Sequence, residues 1–367
     1  HLGASPLAVA HTQRLHFAKR LIDETALPMQ HISTVAGYGS IRRFNDAFRK
    51  TYGRPPRELM RAGESNERPA KTASMTVRLP YRLPFDWQNM LDFFAGRATP
   101  GVELVTENCY RRTLSTNGDH GVVDIRADAR EGYLSLTLHS VNTNVLFEIV
   151  QSAREVFDLD APVTEISKTL GKDKTLRKML RKFPGIRVPG AWDGFELTIR
   201  AILGQQISVQ AATTIAGRIA DRYGEPLNID PADENAGLSR IFPTPERLAR
   251  ARFNKMGIVT SRADTIRRVA KAVLAGEIDF DTAQDPERFC ASLTSLRGIG
   301  DWTAQYVAMR VLKNPDAFPA SDLGLIKAIR YPDRVTPKEL ATIAEEWRPW
   351  RAYAALLLWS SLPGSGG

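Results

Sequence analysis

The sequence predicts a mostly α-helical protein that contains one smaller α+β part. From about residue 163 onward, apolar residues recur at helical spacing in segments separated by prolines. Leu134, Leu136 and Leu138 alternate with polar residues, which is the period of a half-buried β-strand. Near the start of the chain, two helical patterns flank a turn that contains Gly37 and Gly39. These observations predict a small helical unit, then an α+β segment, then a large helical region.

The composition is that of a soluble globular protein with an anionic partner. The 367 residues allow two or three domains, and a hydrophobic content of 43% and a charged content of 25% are ordinary. A net charge of +9 favours nucleic acid or a membrane surface as the partner. The apolar runs are too short to span a bilayer, and no signal-peptide pattern opens the sequence. We therefore expect a cytoplasmic protein with no membrane partner, and the widely separated Cys109 and Cys290 fit a reducing compartment.

Residues 1–61 predict a helix-turn-helix. Helical patterns cover 6–23, 32–36 and 41–52. The buried face of the last helix is predicted to hold three apolar residues at i, i+3 and i+7, namely Ile41, Phe44 and Phe48. Its opposite face carries the candidates for DNA contact, namely Arg42, Arg43 and Asn45. The alternative is that these polar residues only keep an exposed helix face in water.

Three further segments follow from composition and period. Residues 62–74 lack apolar periodicity and are predicted to be a linker. Residues 75–160 mix strand period with helical stripes and predict a small α+β domain. Residues 161–362 predict helices, and the glycine-rich residues 363–367 predict a disordered tail.

The stretch from Leu296 to Lys327 carries the most specific motif. Gly298-Ile299-Gly300 stands between two helical patterns, so it predicts a tight hairpin that opens into a helix N-terminus. The free N–H groups of such a terminus suit a phosphate. Further on, Asp322 directly precedes an apolar helical pattern, where Asp is a favoured N-cap. From the residues alone, capping and a chemical role for Asp322 are both open.

Taken together, these motifs resemble a known family. The patterns L-x-G-I-G-x-W-T-A, P-x-x-D and F-E-x-x-x-R-A-I-L-G-Q-Q-I-S resemble the helix-hairpin-helix glycosylases of DNA repair, and Trp302 with Tyr306 narrows the likeness to bacterial 3-methyladenine DNA glycosylase II. The likeness covers about residues 75–360. The run from Ala36 to Arg61 resembles the C-terminal half of an AraC-type DNA-binding domain. The first helix-turn-helix unit of such a domain is then expected to lie ahead of Leu2, in a longer natural chain.

The resemblance implies a fold and an activity. The fold would be two helical lobes with a curved antiparallel sheet domain, preceded by the helix-turn-helix remnant. The activity would be the hydrolytic excision of alkylated purines from double-stranded DNA by a monomer that requires no cofactor. Asp322 would be the catalytic carboxylate, close to the positive charge that grows on the sugar. A monovalent cation, Na⁺ or K⁺, would be held by the backbone carbonyls of Thr294, Leu296 and Ile299.

The resemblance also assigns the remaining site residues. The base pocket would be formed by Trp302, Tyr306, Trp359, Gln205 and Phe93. The hairpin that grips DNA would be formed by Gly298, Ile299, Gly300 and Thr303. Gln206 would be the wedge that fills the gap left by a flipped base, although a relative carries an apolar residue there. A second departure is Leu323, which stands where that relative has an aromatic residue, so the range of substrates is expected to differ.

Other interpretations stay open at this point. The aromatic residues could be core residues, above all Trp359 within an apolar run. The glycosylase-like region could only bind DNA, as part of a transcriptional regulator of the alkylation response. A glycosylase for oxidised purines is disfavoured, because a neutral lesion gains less from electron-rich rings than a cation does. Trp302 stands where bifunctional relatives carry a lysine, so no lyase activity is expected. The two cysteines are too few for the four-cysteine iron–sulfur cluster of other relatives.

Overall fold

The computed structural model describes residues 5–24, 28–59, 74–116, 118–128, 130–139, 145–227, 237–329 and 335–362. The predicted linker lies outside these ranges except for its last residue, and so does the predicted tail 363–367. The chain divides into two compact units. The first is formed by His1–Leu79 and Leu114–Ser152, and the second by Pro80–Thr113 and Ala153–Gly367.

In the described part of the chain, the helices are α1 (Pro6–Glu24), α2 (Met29–Val35), α3 (Ile41–Tyr52), α4 (Trp87–Ala95), α5 (Leu146–Val156), α6 (Val163–Leu170), α7 (Lys174–Lys182), α8 (Gly194–Leu203), α9 (Val209–Tyr223), α10 (Pro245–Ala249), α11 (Thr260–Leu274), α12 (Pro286–Thr294), α13 (Asp301–Arg310), α14 (Leu323–Ala328), α15 (Pro337–Ala344) and α16 (Arg351–Ser360). The strands are β1 (Met75–Pro80), β2 (Glu103–Val105), β3 (Cys109–Thr116), β4 (Asp119–Ala127), β5 (Tyr133–His139), β6 (Glu225–Pro226) and β7 (Arg240–Ile241). No described helix combines the length and the apolar character that crossing a membrane requires. The predicted fold class, mostly helical with a small antiparallel sheet, is confirmed.

Helices α1, α2 and α3 of the first unit pack around a core that includes Phe44 and Phe48, both fully buried. Ser40 caps α3, since its Oγ accepts from the N–H of Arg43 at 3.3 Å. The prediction that Ile41 belongs to the buried face is wrong, because its side chain is 37% exposed. Ile41 is the first residue of α3, and the core covers only the turns that follow.

The sheet of the first unit follows the alternation seen in the sequence. Leu134, Leu136 and Leu138 of β5 are buried, while the residues between them are half-buried. Strand β5 pairs antiparallel with β4, with Leu136 opposite Ile125, and β1 lies on its other side. The prediction of a half-buried strand is confirmed, because one face of this sheet packs on a core and the other meets water.

Helix α8 forms the centre of the second unit. Every residue from Phe195 to Leu203 is buried except Arg200, and the helix packs against α9, α11 and α13. Asp193 caps it, because its Oδ1 accepts from the N–H of Glu196 at 2.6 Å. A helix that is apolar on all sides must be surrounded by others, so α8 holds its neighbours at fixed positions.

A cluster of buried charges joins α8 to the strand pair β2–β3 of the same unit. Arg112 Nη2 lies 2.8 Å from Glu196 Oε2, and Arg200 Nη1 lies 2.8 Å from Glu103 Oε2 and 2.9 Å from Glu196 Oε1. Tyr110 donates its hydroxyl to Glu103 at 2.7 Å. Two arginines and two glutamates balance in charge, which is the condition under which such groups can be buried.

Candidate active site

A cavity of about 330 Å³ lies in the second unit among α4, α8, α9, α13, α14 and α16. The structure brings five of the predicted site residues to its wall, namely Phe93, Trp302, Tyr306, Asp322 and Trp359. The rest of the wall includes the apolar residues Leu197, Ile207 and Ala212 and the arginines Arg97, Arg200 and Arg310. A largely apolar wall with a few polar groups is the usual character of a small-molecule pocket.

Asp322 is held by three N–H donors. It is the N-cap of α14, and its Oδ1 accepts from the backbone N–H of Leu325 at 2.9 Å. The same oxygen accepts from Trp359 Nε1 at 2.9 Å, and Oδ2 accepts from Trp302 Nε1 at 2.8 Å. A carboxylate offers about four lone-pair positions, so one remains on Oδ2 for a further partner. The cap and the two indoles fix the carboxylate at the cavity wall.

Gly324 allows this arrangement. A Cβ on Gly324 would lie 2.9 Å from Asp322 Oδ1 and 3.2 Å from Trp359 Cδ1. Both distances are shorter than nearly all real contacts of a Cβ atom. A side chain at this position would therefore push the carboxylate and the indole apart.

The aromatic rings do not form an open sandwich. Trp302 and Tyr306 stack on each other with ring centroids 5.2 Å apart and planes 6° apart. Tyr306 meets Trp359 nearly edge to face, at 6.3 Å and 66°. A flat base between two rings would need about 7 Å, because carbon atoms in contact are about 3.5 Å apart. A base in this cavity must therefore lie against an outer ring face rather than between Trp302 and Tyr306.

The end of the cavity away from Trp302 is positively charged. Arg97 stacks on Phe93, with Cζ 3.9 Å from the ring centroid, and donates from Nη1 to the carbonyl of Phe93 at 3.1 Å. Arg310 donates to the Tyr306 hydroxyl at 2.7 Å and to the carbonyls of Pro189 and Gly190 at 2.9 and 2.8 Å. Within the described ranges, neither guanidinium pairs with a carboxylate.

The electrostatic effect of these cations shows in Tyr306. Burial by itself would raise the pKa of the phenol, yet Arg310, Arg97 and Arg200 outweigh it, so the pKa lies below the ordinary value. Burial and the like charges of Arg310 and Arg200 lower the pKa of Arg97 in turn. The field at this end of the cavity therefore favours negative charge.

The predicted hairpin forms between α12 and α13, and its two glycines differ. Gly298 has φ +102°, and a Cβ there would lie 2.0 Å from Thr265 Oγ1. Gly300 has φ −101° and no neighbouring atom within 4 Å of a Cβ. Gly298 is therefore required by the turn itself, while Gly300 leaves open space in front of the N-terminus of α13. Ile299, between them, is buried in the core.

Gln205 does not line the cavity, and Thr303 lies at the hairpin with its side chain buried. Gln205 is not part of the cavity wall, because its Nε2 donates to the carbonyl of Gly298 and to Thr303 Oγ1, both at 3.1 Å. Thr303 is 2% exposed, so its side chain faces the interior rather than a ligand. The pair ties the end of α8 to the hairpin.

Gln206 is exposed and has φ +61°, a left-handed conformation that is uncommon for residues other than glycine. It lies two residues after Gly204, the C-cap of α8, and directly follows Gln205, which bonds the hairpin. An exposed side chain on a strained backbone next to a cavity is consistent with its predicted use as a wedge.

In the first unit, the side chains of Arg42 and Arg43 are exposed on α3. Asn45 is half-buried, and its Oδ1 is enclosed without a hydrogen-bond partner among the described residues. The two arginines are thus accessible to DNA, and the amide oxygen of Asn45 faces inward.

The carbonyls proposed for a cation lie where α12 ends. Thr294 is its last residue, and the carbonyl of Leu296 accepts from the N–H of Ile299 at 3.0 Å. Carbonyls at the C-terminus of a helix carry partial negative charge, which fits a monovalent cation. Among the described residues there is no cluster of three or more His, Cys, Asp or Glu that could hold a metal ion.

Sequence reasoning did not identify the arginines of the cavity or Gly324. Arg310 stands four residues after Tyr306 and eight after Trp302, so helical spacing could have placed it on the same face. Arg97 stands four residues after Phe93, which is also a helical spacing. Gly324 carries no such signal, because its importance depends on the contact of the nearby Asp322 with Trp359, which comes from a distant part of the chain.

Three family models match the chain. A helix-turn-helix domain matches residues 1–62, the AlkA N-terminal domain matches residues 76–193, and the HhH-GPD superfamily of base excision DNA repair proteins matches residues 199–351. These matches confirm both resemblances that were stated from the sequence.

Similar proteins extend over most of the chain. A probable bifunctional transcriptional activator/DNA repair enzyme AlkA of Mycobacterium tuberculosis is 35% identical over 98% of this chain and 72% of its own. DNA-3-methyladenine glycosylase 2 of Escherichia coli is 36% identical over 77% of this chain and 95% of its own. The structure of a 3-methyladenine DNA glycosylase from Archaeoglobus fulgidus matches 77% of this chain and 96% of its own, with a TM-score of 0.67 and 24% identity, and so supports the fold. The chain therefore belongs to the HhH-GPD superfamily of base excision DNA glycosylases, in its AlkA family, and carries a helix-turn-helix domain ahead of the glycosylase region.

Proposed function

We propose that this protein is a monofunctional DNA glycosylase that excises N-alkylated purines, chiefly 3-methyladenine, by hydrolysis. The observation that carries the proposal is the carboxylate of Asp322, fixed by Trp302, Trp359 and Leu325 at the wall of a ring-lined cavity. The target nucleotide would leave the helix stack and place its base in the cavity, with Gln206 filling the gap. Arg42 and Arg43 of the helix-turn-helix would add contacts to the same double-stranded DNA.

Hydrolysis would proceed by breaking the bond between C1′ of the sugar and the base nitrogen. The electron pair of this bond moves into the base, and positive charge grows on the sugar. Asp322 stabilises that charge, since a fixed anion in a site with little water lowers such a barrier. Water then adds to C1′ and gives up a proton, which the free position on Asp322 Oδ2 can accept. The products are the free base and an abasic sugar.

The absence of an amine at the position of Trp302 supports the monofunctional assignment. A lyase reaction needs a nitrogen nucleophile that attacks C1′ and forms a Schiff base. Trp302 instead uses its indole N–H to hold Asp322. The three aromatic rings would favour a cationic alkylated base, since electron-rich rings attract a desolvated cation.

We also propose that Na⁺ or K⁺ binds to the carbonyls of Thr294, Leu296 and Ile299. When bound, the ion would add positive charge to the hairpin and favour a nearby phosphate. Replacement of these ions by a bulky organic cation at equal ionic strength is expected to weaken duplex binding.

The experiment that tests the function is an assay for released base. The protein is incubated with duplex DNA treated with a methylating agent, and the free bases are separated and identified. Release of 3-methyladenine, with intact abasic strands as the other product, is expected. Binding without any release would instead favour a regulator whose glycosylase region only grips DNA, and strand cleavage at the abasic site would contradict the monofunctional assignment.

A further inference from the structure

The two ends of the cavity carry opposite charge. Asp322 lies beside Trp302 at one end, and Arg310 lies two turns further along the same face of α13, beyond Tyr306. Those two turns of helix span about 11–12 Å. Arg97 joins Arg310 around Phe93, whose ring centroid lies 3.9 Å and 5.0 Å from the two Cζ atoms.

The partners of the arginines decide whether this charge is available. Arg200, the third arginine of the wall, is neutralised by Glu103 and Glu196. Arg97 donates to the carbonyl of Phe93, and Arg310 donates to two carbonyls and to the Tyr306 hydroxyl. Among the described residues no carboxylate compensates either charge. Buried cations are normally paired with carboxylates, so two guanidinium groups that have no carboxylate partner in the described part of the chain require an explanation.

The positive charge of Arg97 and Arg310 would be unfavourable if the ring-lined cavity served only to bind a cationic base. A positively charged base would be repelled from Arg97 and Arg310 although the rings attract it. The arrangement fits the reaction better than it fits the bound substrate. During cleavage one electron pair moves from the glycosidic bond toward the base, and positive charge moves toward the sugar and Asp322.

We propose that Arg97 and Arg310 draw the electron pair of the glycosidic bond into the departing base and thereby determine which charge state of base is released efficiently. The inference rests on the proposed function and deepens it. A cationic base loses its charge on leaving, so the repulsion in the bound state is relieved in the transition state. A neutral base gains negative charge on leaving, which the arginines stabilise. Interactions that are stronger in the transition state than in the bound state accelerate the reaction.

The proposal predicts that removing the charge of Arg97 lowers the rate of base release but raises the affinity for duplex that contains a cationic base. When the charge of Arg97 is removed, the rate of base release at saturating enzyme falls by about ten- to a hundredfold for both kinds of base. The loss is partial because Arg310 remains. The affinity for duplex with a cationic base rises by about tenfold, because the repulsion in the bound state is weaker. The affinity for duplex with a neutral base stays unchanged.

The test uses the full chain under single-turnover conditions with two duplexes, one containing 7-methylguanine and one containing hypoxanthine. The maximal release rate and the half-saturating enzyme concentration are measured for the parent protein and for Arg97→Gln. Arg97→Lys retains a positive charge without the planar stacking on Phe93, and is expected to release both bases faster than Arg97→Gln. Arg181→Gln removes the same charge from the exposed side of α7 and serves as the matched control.

Each outcome decides the proposal. A lower maximal rate with a lower half-saturating concentration for 7-methylguanine supports it. A lower rate with unchanged or weaker affinity overturns it, because loss of packing on Phe93 would give that result. If Arg97→Gln does not fold, Arg97→Met retains the packing without the charge and gives the same readout. If the parent protein releases no base at all, the proposed function fails. If the parent releases base and Arg97→Gln releases it equally well, the proposed function stands and only the inference about Arg97 fails.

Discussion

At the scale of single residues, Asp322 is both the cap of a helix and part of the cavity wall, a combination that the sequence could not reveal. Its Oδ1 caps α14, and both oxygens accept from indole N–H groups at the cavity wall. The sequence shows an Asp before a helix, which is an ordinary cap. The two indoles come from positions 20 residues before and 37 residues after it, so spacing could not reveal that they meet at this carboxylate.

We expect Asp322→Asn to retain the fold and lose base release. Asn caps a helix nearly as well as Asp, so the bond from Leu325 is kept. The amide has one acceptor oxygen fewer, so one indole N–H loses its partner, at a cost of about 1–3 kcal/mol. Release of 3-methyladenine should fall by about a thousandfold, since no anion faces the sugar. Thermal unfolding and single-turnover base release measure the two effects, and retained release would contradict the catalytic role.

The glycines of the hairpin are expected to respond differently to alanine. Gly298→Ala places a Cβ at φ +102° against Thr265 and should destabilise the protein by several kcal/mol, of which strain accounts for about 1–3. The added Cβ of Gly300→Ala has no atom within 4 Å, so this variant should unfold at nearly the same temperature as the parent protein. Its Cβ would instead stand in the space open to a phosphate, so duplex affinity should fall. Thermal unfolding and duplex titration of both variants measure these effects. Gly276→Ala is the control for strain without a clash, since Gly276 has φ +71° and no atom within 4 Å of an added Cβ. A stable Gly298→Ala would show that the turn can relax.

At the scale of elements, the period of apolar residues was sufficient for the helices and for β5. It located α3 and α8 and placed Trp302 with Tyr306 on one helix face, whereas Phe93 and Trp359 were assigned to the cavity by the resemblance. Period could not predict which helices are neighbours, because that depends on contacts between distant segments. The resemblance implies a pocket position for Gln205, whereas its amide is bound to Gly298 and Thr303.

The charge cluster between α8 and the β2–β3 pair holds one wall of the cavity. Arg200 bonds Glu103, Glu196 and also the carbonyl of Arg97, so it connects the cluster to the cavity wall. Removing one partner of a buried pair leaves a charge without compensation, which costs about 3–5 kcal/mol. Glu103→Gln should therefore lower the free energy of unfolding at pH 7 by about this amount.

The pH dependence of this effect has a definite sign. Burial would raise the pKa of Glu103, but Arg200, Arg112 and hydrogen bonds from Tyr110 and Thr99 outweigh it and hold the pKa below the ordinary value of 4.5. A lowered carboxyl pKa stabilises the fold above pH 4.5, and this contribution is lost as the pH falls below that value. Denaturant titrations at pH 7 and below pH 4.5 should show the difference between parent and Glu103→Gln narrowing in acid. A constant difference would mean that Glu103 does not titrate in this range.

At the scale of the whole molecule, the chain joins two parts that are each suited to DNA. The matched helix-turn-helix covers residues 1–62, and the matched glycosylase regions cover residues 76–193 and 199–351. The net charge of +9 is unevenly distributed, since residues 1–61 hold ten Lys and Arg against four Asp and Glu. Charge of this kind strengthens binding to any duplex through the phosphates and does not select a sequence.

We therefore expect the helix-turn-helix to set affinity while the glycosylase site sets the release rate. Replacing Arg42 and Arg43 by alanine should weaken binding to undamaged duplex. The slope of the logarithm of the binding constant against the logarithm of the salt concentration should become less steep by about one for each phosphate that the protein no longer neutralises. Base release at saturating enzyme should stay unchanged, because the cavity lies in the other unit. The control is the replacement of Lys178 and Arg181, which removes the same charge from the exposed face of α7. Equal weakening by both pairs would mean that only net charge matters, and no weakening by Arg42 and Arg43 would mean that α3 merely presents a solvated face.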